Sequence, residues 1–429
     1  MRRKVKLCAA IINTLIAVIT IYLTYLNIML PNNYNLVKGS NLNINGKKFV
    51  TIDMQHVLKK NKQDLTTSVF KFSKADLTYD DPDSYEENDF YEDSNIEDVN
   101  AFIKAYNIFP VKKVEVHPID PIEVYPCGTP FGMKMFTKGL MVVGMAEVEN
   151  GIIPSKEAGI KLGDMITSIN EIPMYNIADM KEVVNNSNGK EISVKVNRNK
   201  NELNFKITPQ KSLTQDSYKT GIWVRNSIAG IGTLTFVTDD GYFGGLGHPV
   251  CDIDTGQMMP LLSGEIININ IDGVNKGKSG CPGELKGTFG EENNIGILTK
   301  NTPTGVYGRV VDIDYFNNDE KVEVAMHQEI EEGPAKMLTT INNKGPQYFD
   351  VNIVKINHVN MNPCKNMVIE ITDEELIKET GGVVQGMSGS PIFQKSKMVG
   401  VMTHVFVHKP LKGYAIFIEN MMENLNYVS

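Results

Sequence analysis

The run Gly381-Gly-Val-Val-Gln-Gly-Met-Ser-Gly-Ser-Pro-Ile-Phe393 holds the residues best suited to chemistry. Ser388 stands between small residues and ahead of an apolar stretch, a setting in which unrelated hydrolases present a serine nucleophile. Gly386 and Gly389 permit a tight bend there. Such a bend aims the backbone amides of Gly386 and Ser388 at one point, where the oxyanion of a tetrahedral intermediate would be held. A serine hydroxyl is a weak nucleophile until a base takes its proton, so the motif needs a histidine. His248, in the glycine-rich turn Gly247-His248-Pro249, is the candidate base. Taken alone, the motif reads equally well as a Gly-Ser turn between two strands. Ser390 directly precedes Pro391 and reads as structural.

Other reactive side chains offer less. Cys8, Cys127, Cys251, Cys281 and Cys364 form no CxxC pair and no regular spacing, which supports neither a disulfide framework nor a catalytic thiol. His404 and His408 are four apart, a spacing that suits a metal pair on a helix, but their context Val401-Met-Thr-His-Val-Phe-Val407 is β-like and lacks a ligand cluster. No metal and no cofactor is therefore expected. His117, His327 and His358 stand alone and read as solvated or packing histidines, and Trp223 as a core or interdomain anchor.

These residues must be positioned by a chain of 429 residues, long enough for two or three domains. Its 41% hydrophobic and 22% charged content is that of a globular protein, which excludes wholesale disorder. The net charge of −8 is concentrated: between Asp80 and Asp98 lie ten Asp or Glu residues and no Lys or Arg. The C-terminal half has no basic block, which argues against a nucleic-acid partner. At the other end, Arg2, Arg3, Lys4 and Lys6 precede an apolar run from Leu7 to Leu30. As a helix this run spans a hydrocarbon core of roughly 30 Å. The positive-inside rule leaves the N-terminus in the cytoplasm and exports everything from Pro31 onward. Without a convincing Ala-x-Ala site, the segment reads as an uncleaved signal anchor over residues 1–30, in preference to a cleaved signal peptide.

Residues 31–113 read as a linker region: 31–75 show no decisive period, and the acidic run 80–98 reads as a solvated spacer open to proteolysis. A compact unit spans 114–210. Met141-Val-Val-Gly144, Ile192-Ser-Val-Lys-Val196 and Leu203-Asn-Phe-Lys-Ile207 look like strands, and Ala178 to Val184 has helical spacing. Between them, Glu157-Ala-Gly-Ile-Lys-Leu-Gly-Asp-Met-Ile-Thr-Ser-Ile-Asn-Glu-Ile-Pro173 resembles a PDZ domain. On that resemblance Gly128, Thr129, Pro130, Phe131, Gly132 and Met133 occupy the place of the carboxylate-binding loop, and a peptide ligand would add a strand beside it. A docking scaffold without a ligand is the alternative. From 219 to 429, short β-like runs alternate with glycine turns, as in an antiparallel barrel; the helical candidates there are Asp373 to Glu379 and Glu419 to Leu425.

Ala229-Gly-Ile-Gly-Thr-Leu-Thr-Phe236, Gly245-Leu-Gly-His-Pro249, Asp252-Ile-Asp-Thr255, Ile371-Thr-Asp373, the run from Glu379 to Pro391 and Gly400-Val-Met-Thr-His-Val-Phe-Val407 together resemble the SpoIVB-type serine peptidases of spore-forming bacteria. The order of anchor, PDZ unit and peptidase unit agrees. The resemblance implies a mostly β protein: a transmembrane helix, a PDZ domain, then a chymotrypsin-like antiparallel β-barrel peptidase domain. It implies Ser388 as nucleophile, His248 as general base, and Asp373, fifteen positions before the serine, as the group that orients the histidine. Asp373 also opens a helical turn, where it would serve as an N-cap, and Asp312 or Asp314 occupies the part of the chain where chymotrypsin-like enzymes usually carry the acid. The resemblance further implies location at the forespore inner membrane with the bulk in the intermembrane space. Its implied substrates are the chain's own N-terminal region, whose cutting would free the catalytic part, and a regulator of a membrane-embedded metalloprotease that processes a late sigma-factor precursor. A catalytically idle PDZ adaptor and an HtrA-like quality-control protease are the alternatives; in the latter the PDZ domain follows the protease, whereas here it precedes it.

Overall fold

The first helix, Arg2–Met29, follows from the apolar run. Its threonines are satisfied internally: the Thr14, Thr20 and Thr24 hydroxyls donate to the carbonyls of Ala10, Ile16 and Thr20 at 2.8–2.9 Å, so they need no water. Ala10–Met29 is long and apolar enough to cross a membrane. The structure, a computed structural model, describes residues 2–38, 50–53, 99–106, 108–313, 320–358 and 362–428; the acidic run 80–98 lies outside them.

The region expected to be a linker contains a four-stranded sheet, in the order Asn33–Val37, Phe109–Ile119, Val99–Ala105, Val50–Asp53. Its core joins Tyr34, Leu36, Ala101, Ile103, Ala105, Val114 and Val116 to Leu26 and Leu30 at the end of the helix. Local periodicity misses this sheet because Asn33–Val37 pairs, in parallel, with a strand some eighty residues away (Asn33 opposite Glu115).

The organising element of the rest is the strand Glu123–Met145. Its middle, from Phe131 to Phe136, is paired on both sides, with Ile222–Val237 and with Leu261–Asn275. Leu140 and Met141 pair instead with Met165–Ile169 of the PDZ unit, so one strand is common to both units. In the PDZ unit, Ile166, Ile169, Val194, Val196 and Ile207 alternate inward to meet Met180 and Val184 of the helix Ile177–Asn186. Asp164, the acid of the Gly-Asp pair in the motif, is buried and held by Arg198 at 2.6 and 2.7 Å and by the Lys161 amide at 2.8 Å. The motif is thus a structural staple.

Beyond Ile222 the chain folds as two β bodies. In the first, Tyr242–Gly245, Gly305–Val310, Gly283–Thr302 and Leu261–Asn275 lie side by side, continued by the shared strand. The second is a closed barrel of six strands, in the order Gly333–Thr339, Gln347–Ile356, Met367–Ile371, Lys412–Phe417, Lys397–Val405, Pro391–Gln394. Helices are short, Glu374–Thr380 and Ile418–Met422, near the two helical patterns of the sequence. The expected mostly β architecture with an N-terminal apolar helix and a C-terminal barrel is the one observed.

Candidate active site

Ser388 sits in the loop that feeds the barrel strand Pro391–Gln394. Two glycines with positive φ, Gly386 (+99°) and Gly389 (+104°), bend it. A β-carbon on Gly389 would stand 1.9 Å from the Thr233 carbonyl, so glycine is required for two chain segments to approach. The amides of Met387, Gly389 and Ser390 donate to the carbonyls of Val384, Met402 and Met387. Gly386 directly follows the short strand Val384–Gln385, which pairs with Gly283 and Glu284, and Ser388 lies two residues further along the same bend. The Ser388 hydroxyl donates to the Thr403 carbonyl at 2.7 Å. Ser390 is buried and donates to the Thr339 hydroxyl at 2.8 Å, a structural contact within the barrel.

The loop is clamped from the first β body by the motif Gly232-Thr-Leu-Thr-Phe236. Thr233 Oγ1 donates to the Gly386 carbonyl at 2.7 Å, and Thr235 Oγ1 to the Gly389 carbonyl at 2.8 Å. The Thr233 backbone does more. Its amide donates to the Ser388 carbonyl at 2.8 Å, and its carbonyl accepts from the Leu246 amide at 3.3 Å. One residue therefore ties the Ser388 loop to the loop that carries His248.

That second loop turns through Leu246 and Gly247, both at positive φ (+66° and +69°). Gly247 packs against Thr403, Val401 and Ile416 of the barrel, where a β-carbon would come within 2.9 Å of Thr403 Cγ2. His248 is half-buried, and its ring lies beside that of His404, with centroids 4.8 Å apart. Burial pushes the pKa of His248 down, against a hydrogen bond to the Pro249 carbonyl that raises it. Burial, reinforced by the neighbouring His248 and Lys365, lowers His404 to about 4. Both imidazoles are neutral near pH 7.

The Nδ1–H of His248 donates to the Pro249 carbonyl at 2.9 Å. This fixes the tautomer with Nε2 unprotonated, the state in which a histidine accepts a serine proton. Proline at 249 lacks an amide donor but contributes its carbonyl, a consequence the residue type alone did not suggest.

Asp373 lies elsewhere in its contacts. Its carboxylate caps the helix Glu374–Thr380, accepting from the Leu376 amide at 2.9 Å and from the Asp350 amide at 3.4 Å. The N-cap reading is the geometry observed, and the hydrogen bond to His248 Nδ1 is made by Pro249. Asp314 lies outside the described residues. Asp252 of the quoted motif, and Arg225, which the sequence reading passed over, matter for the histidine loop. Buried Asp252 accepts from the Thr255 amide (2.9 Å), the Thr255 hydroxyl (3.0 Å) and the Asp254 amide (3.1 Å), and pairs with Arg225. Arg225 also holds Asp254 at 2.8 Å. The Asp252-Ile-Asp-Thr255 motif is thus the support of the turn that follows His248.

The expected PDZ carboxylate loop, Gly128 to Met133, requires correction. Thr129–Met133 are opposed by 230–234, and Phe131–Met133 also by 266–268, inside the shared strand. The amides of Phe131, Gly132 and Met133 thus belong to a sheet interior, which leaves them no room for a terminal carboxylate, while Thr129 and Pro130 are paired on one side. Glycine and proline in this stretch read as a loop, but both neighbouring strands lie more than ninety residues downstream. The PDZ edge strand at 141–145 is covered by Ile222–Arg225, whose Ile222 and Val224 pack on the PDZ core with Ile177 and Val183. His404 lies on the strand Lys397–Val405, while His408 is exposed in the turn beyond it, so the pair does not share a helix face. Among the described residues, no group of three His, Cys, Asp or Glu side chains is arranged to hold a metal ion.

Residues 216–422 match the model of the SpoIVB peptidase S55 family, and residues 131–208 that of PDZ domains. No curated protein matches the chain.

Proposed function

We propose that the chain, whose residues 216–422 match the SpoIVB peptidase S55 family and whose residues 131–208 match PDZ domains, is a SpoIVB-type serine peptidase in which Ser388 and His248 form the catalytic pair. In this mechanism the Ser388 hydroxyl leaves the Thr403 carbonyl and gives its proton to His248 Nε2 as Oγ attacks the scissile carbonyl. The amides of Gly386 and Ser388 hold the oxyanion. The Pro249 carbonyl keeps the imidazole in the accepting tautomer and takes part of the imidazolium charge; Asp373 contributes by holding the barrel corner at Asp350. His248 returns the proton to the leaving amine, and water repeats the cycle on the acyl-enzyme.

The observation that carries this reading is the Thr233 bridge, which brings the Ser388 and His248 loops to one seam between the two β bodies. An idle adaptor has no need of a histidine tautomer set beside a bent serine loop. The substrates are proteins at the forespore envelope: the chain's own segment between about residues 31 and 100, and a regulator of a membrane-embedded metalloprotease whose loss lets a late sigma-factor precursor be processed. The helix Arg2–Met29 anchors the chain in the forespore inner membrane with the bulk in the intermembrane space. The PDZ unit takes an extended peptide; of the edges without a strand partner among the described pairings, the outer edge of Ile222–Arg225 lies beside the helix Ile177–Asn186.

Co-expression of the chain with candidate envelope proteins tests this, with new N-termini read by mass spectrometry. Cuts that appear with the native chain and vanish with Ser388→Ala are expected. The same cuts in both would remove the serine mechanism.

A further inference from the structure

The strand Asn33–Val37 stands immediately after the apolar helix, and four of its five residues are buried. Its neighbours divide into two groups. Tyr34 and Leu36 pack in the small sheet with Leu26 and Leu30 of the helix, whereas Val37 packs in the peptidase core with Phe236, Tyr307, Val324 and Met326. Asn35 faces a polar cluster of the same unit. Its Nδ2 donates to Glu419 Oε1 at 2.6 Å, and its carbonyl accepts from Gln328 Nε2 at 2.6 Å. Glu419, itself buried, also accepts from the His327 amide at 2.8 Å and lies 2.6 Å from His327 Nδ1. Buried polar groups paired in this way are costly to separate, because each partner would be left unsatisfied.

The sheet adds a second link. Its outer strands, Asn33–Val37 and Val50–Asp53, come from before residue 54, and its inner strands, Val99–Ala105 and Phe109–Ile119, from after residue 98. A cut in the backbone between 54 and 98 therefore severs no pairing of this sheet. It would leave the outer strands on one fragment and the inner strands on the other. Lys112 ties the same pieces together, donating to the Leu30 carbonyl at 2.5 Å and the Asn27 carbonyl at 3.1 Å.

We propose that Asn33–Val37 is a clasp that holds the N-terminal helix to the catalytic unit after the chain is cut between residues 54 and 98, so that such a cut does not free the peptidase. The occupant of this surface is the chain's own N-terminal fragment, recognised through the Asn35 carboxamide and the Val37 side chain. The site of self-cutting comes from the function proposed above, but the clasp is testable without it. A recognition sequence for a site-specific protease is placed within 60–90 of full-length Ser388→Ala chain carrying an affinity tag at residue 1. After cutting in detergent, the tag is captured.

The C-terminal fragment is expected to be captured with the N-terminal one. In an Asn35→Asp/Val37→Asp version, two carboxylates face Glu419 and the apolar core, and recovery should fall by about tenfold or more. Circular dichroism of the freed fragment checks that it remains folded. Loss of the C-terminal fragment on cutting the unaltered strand would overturn the clasp. Equal recovery with and without the two substitutions would overturn its assignment to Asn35 and Val37. Neither result depends on whether Ser388 cuts its own chain.

Discussion

The Ser388 hydroxyl donates to the Thr403 carbonyl, so the proposed activation requires it to turn toward His248. Ser388→Ala should lower peptidase activity by about a thousandfold or more while leaving the oxyanion amides in place, and His248→Ala should cost a similar factor, because the two act as a unit. Asp373 separates two accounts of the third group. Since its carboxylate caps a helix, and Asn caps about as well as Asp, Asp373→Asn should keep near-normal turnover, whereas Asp373→Ala should cost about 1 kcal/mol of stability. A steep fall in kcat for the Asn variant, with stability intact, would instead place the carboxylate on His248 during catalysis. Acidity gives a further check. Burial lowers the His248 pKa, so the ring stays neutral, and competent as a base, to a lower pH than a free histidine. The rise of kcat/KM with pH should therefore be complete before the ordinary histidine range is passed, and a midpoint above that range would contradict the burial argument. Ser388 and His248 stood out in the sequence by their glycine-flanked residue types. The Pro249 carbonyl did not, since a backbone acceptor leaves no mark in the sequence.

At the scale of elements, the nucleophile loop is held by the opposing strand rather than by its own turn alone. Gly389→Ala places a methyl group against the Thr233 carbonyl and forces a side chain into a φ of +104°. Loss of most activity is expected, together with a lowered Tm read by calorimetry. Thr233→Val removes only the hydroxyl that donates to Gly386, at about 1–3 kcal/mol of stability. If Thr233→Val left Tm and kcat/KM unchanged, the hydroxyl clamp on Gly386 would not help align the site, while the backbone bridge to Ser388 and Leu246, which this substitution keeps, would be untouched. Strand identity was readable from alternation at Val194, Val196 and Phe236, and so were short helices near Asp373 and Glu419. Partnership was not. Gly128 to Met133 read as a binding loop because glycine and proline mark turns locally, yet the strand 222–237 pairs with Thr129 to Met133 and the strand 261–275 covers Phe131 to Met133 from the other side. Asn33–Val37 is too short to show a period at all, and only its distant partners make it a strand.

At the scale of the whole molecule, the linear order of anchor, PDZ unit and peptidase unit gives way to interleaving. Glu123–Met145 serves both folded units, and the segment after the helix docks on the peptidase core. A change at the PDZ edge can therefore reach the first β body through continuous strands. These couplings explain why domain content could be read from motifs while domain contacts could not: motifs report local turns and staples, whereas contacts join residues hundreds of positions apart, such as Asn35 and Glu419. The account rests above all on one activated serine. Labelling the full-length chain with a fluorophosphonate probe, and locating the adduct by mass spectrometry, tests it directly. The adduct is expected on Ser388 in the native chain and at least about a hundredfold slower in His248→Ala. An adduct on another residue, or equal labelling with and without His248, would contradict the account.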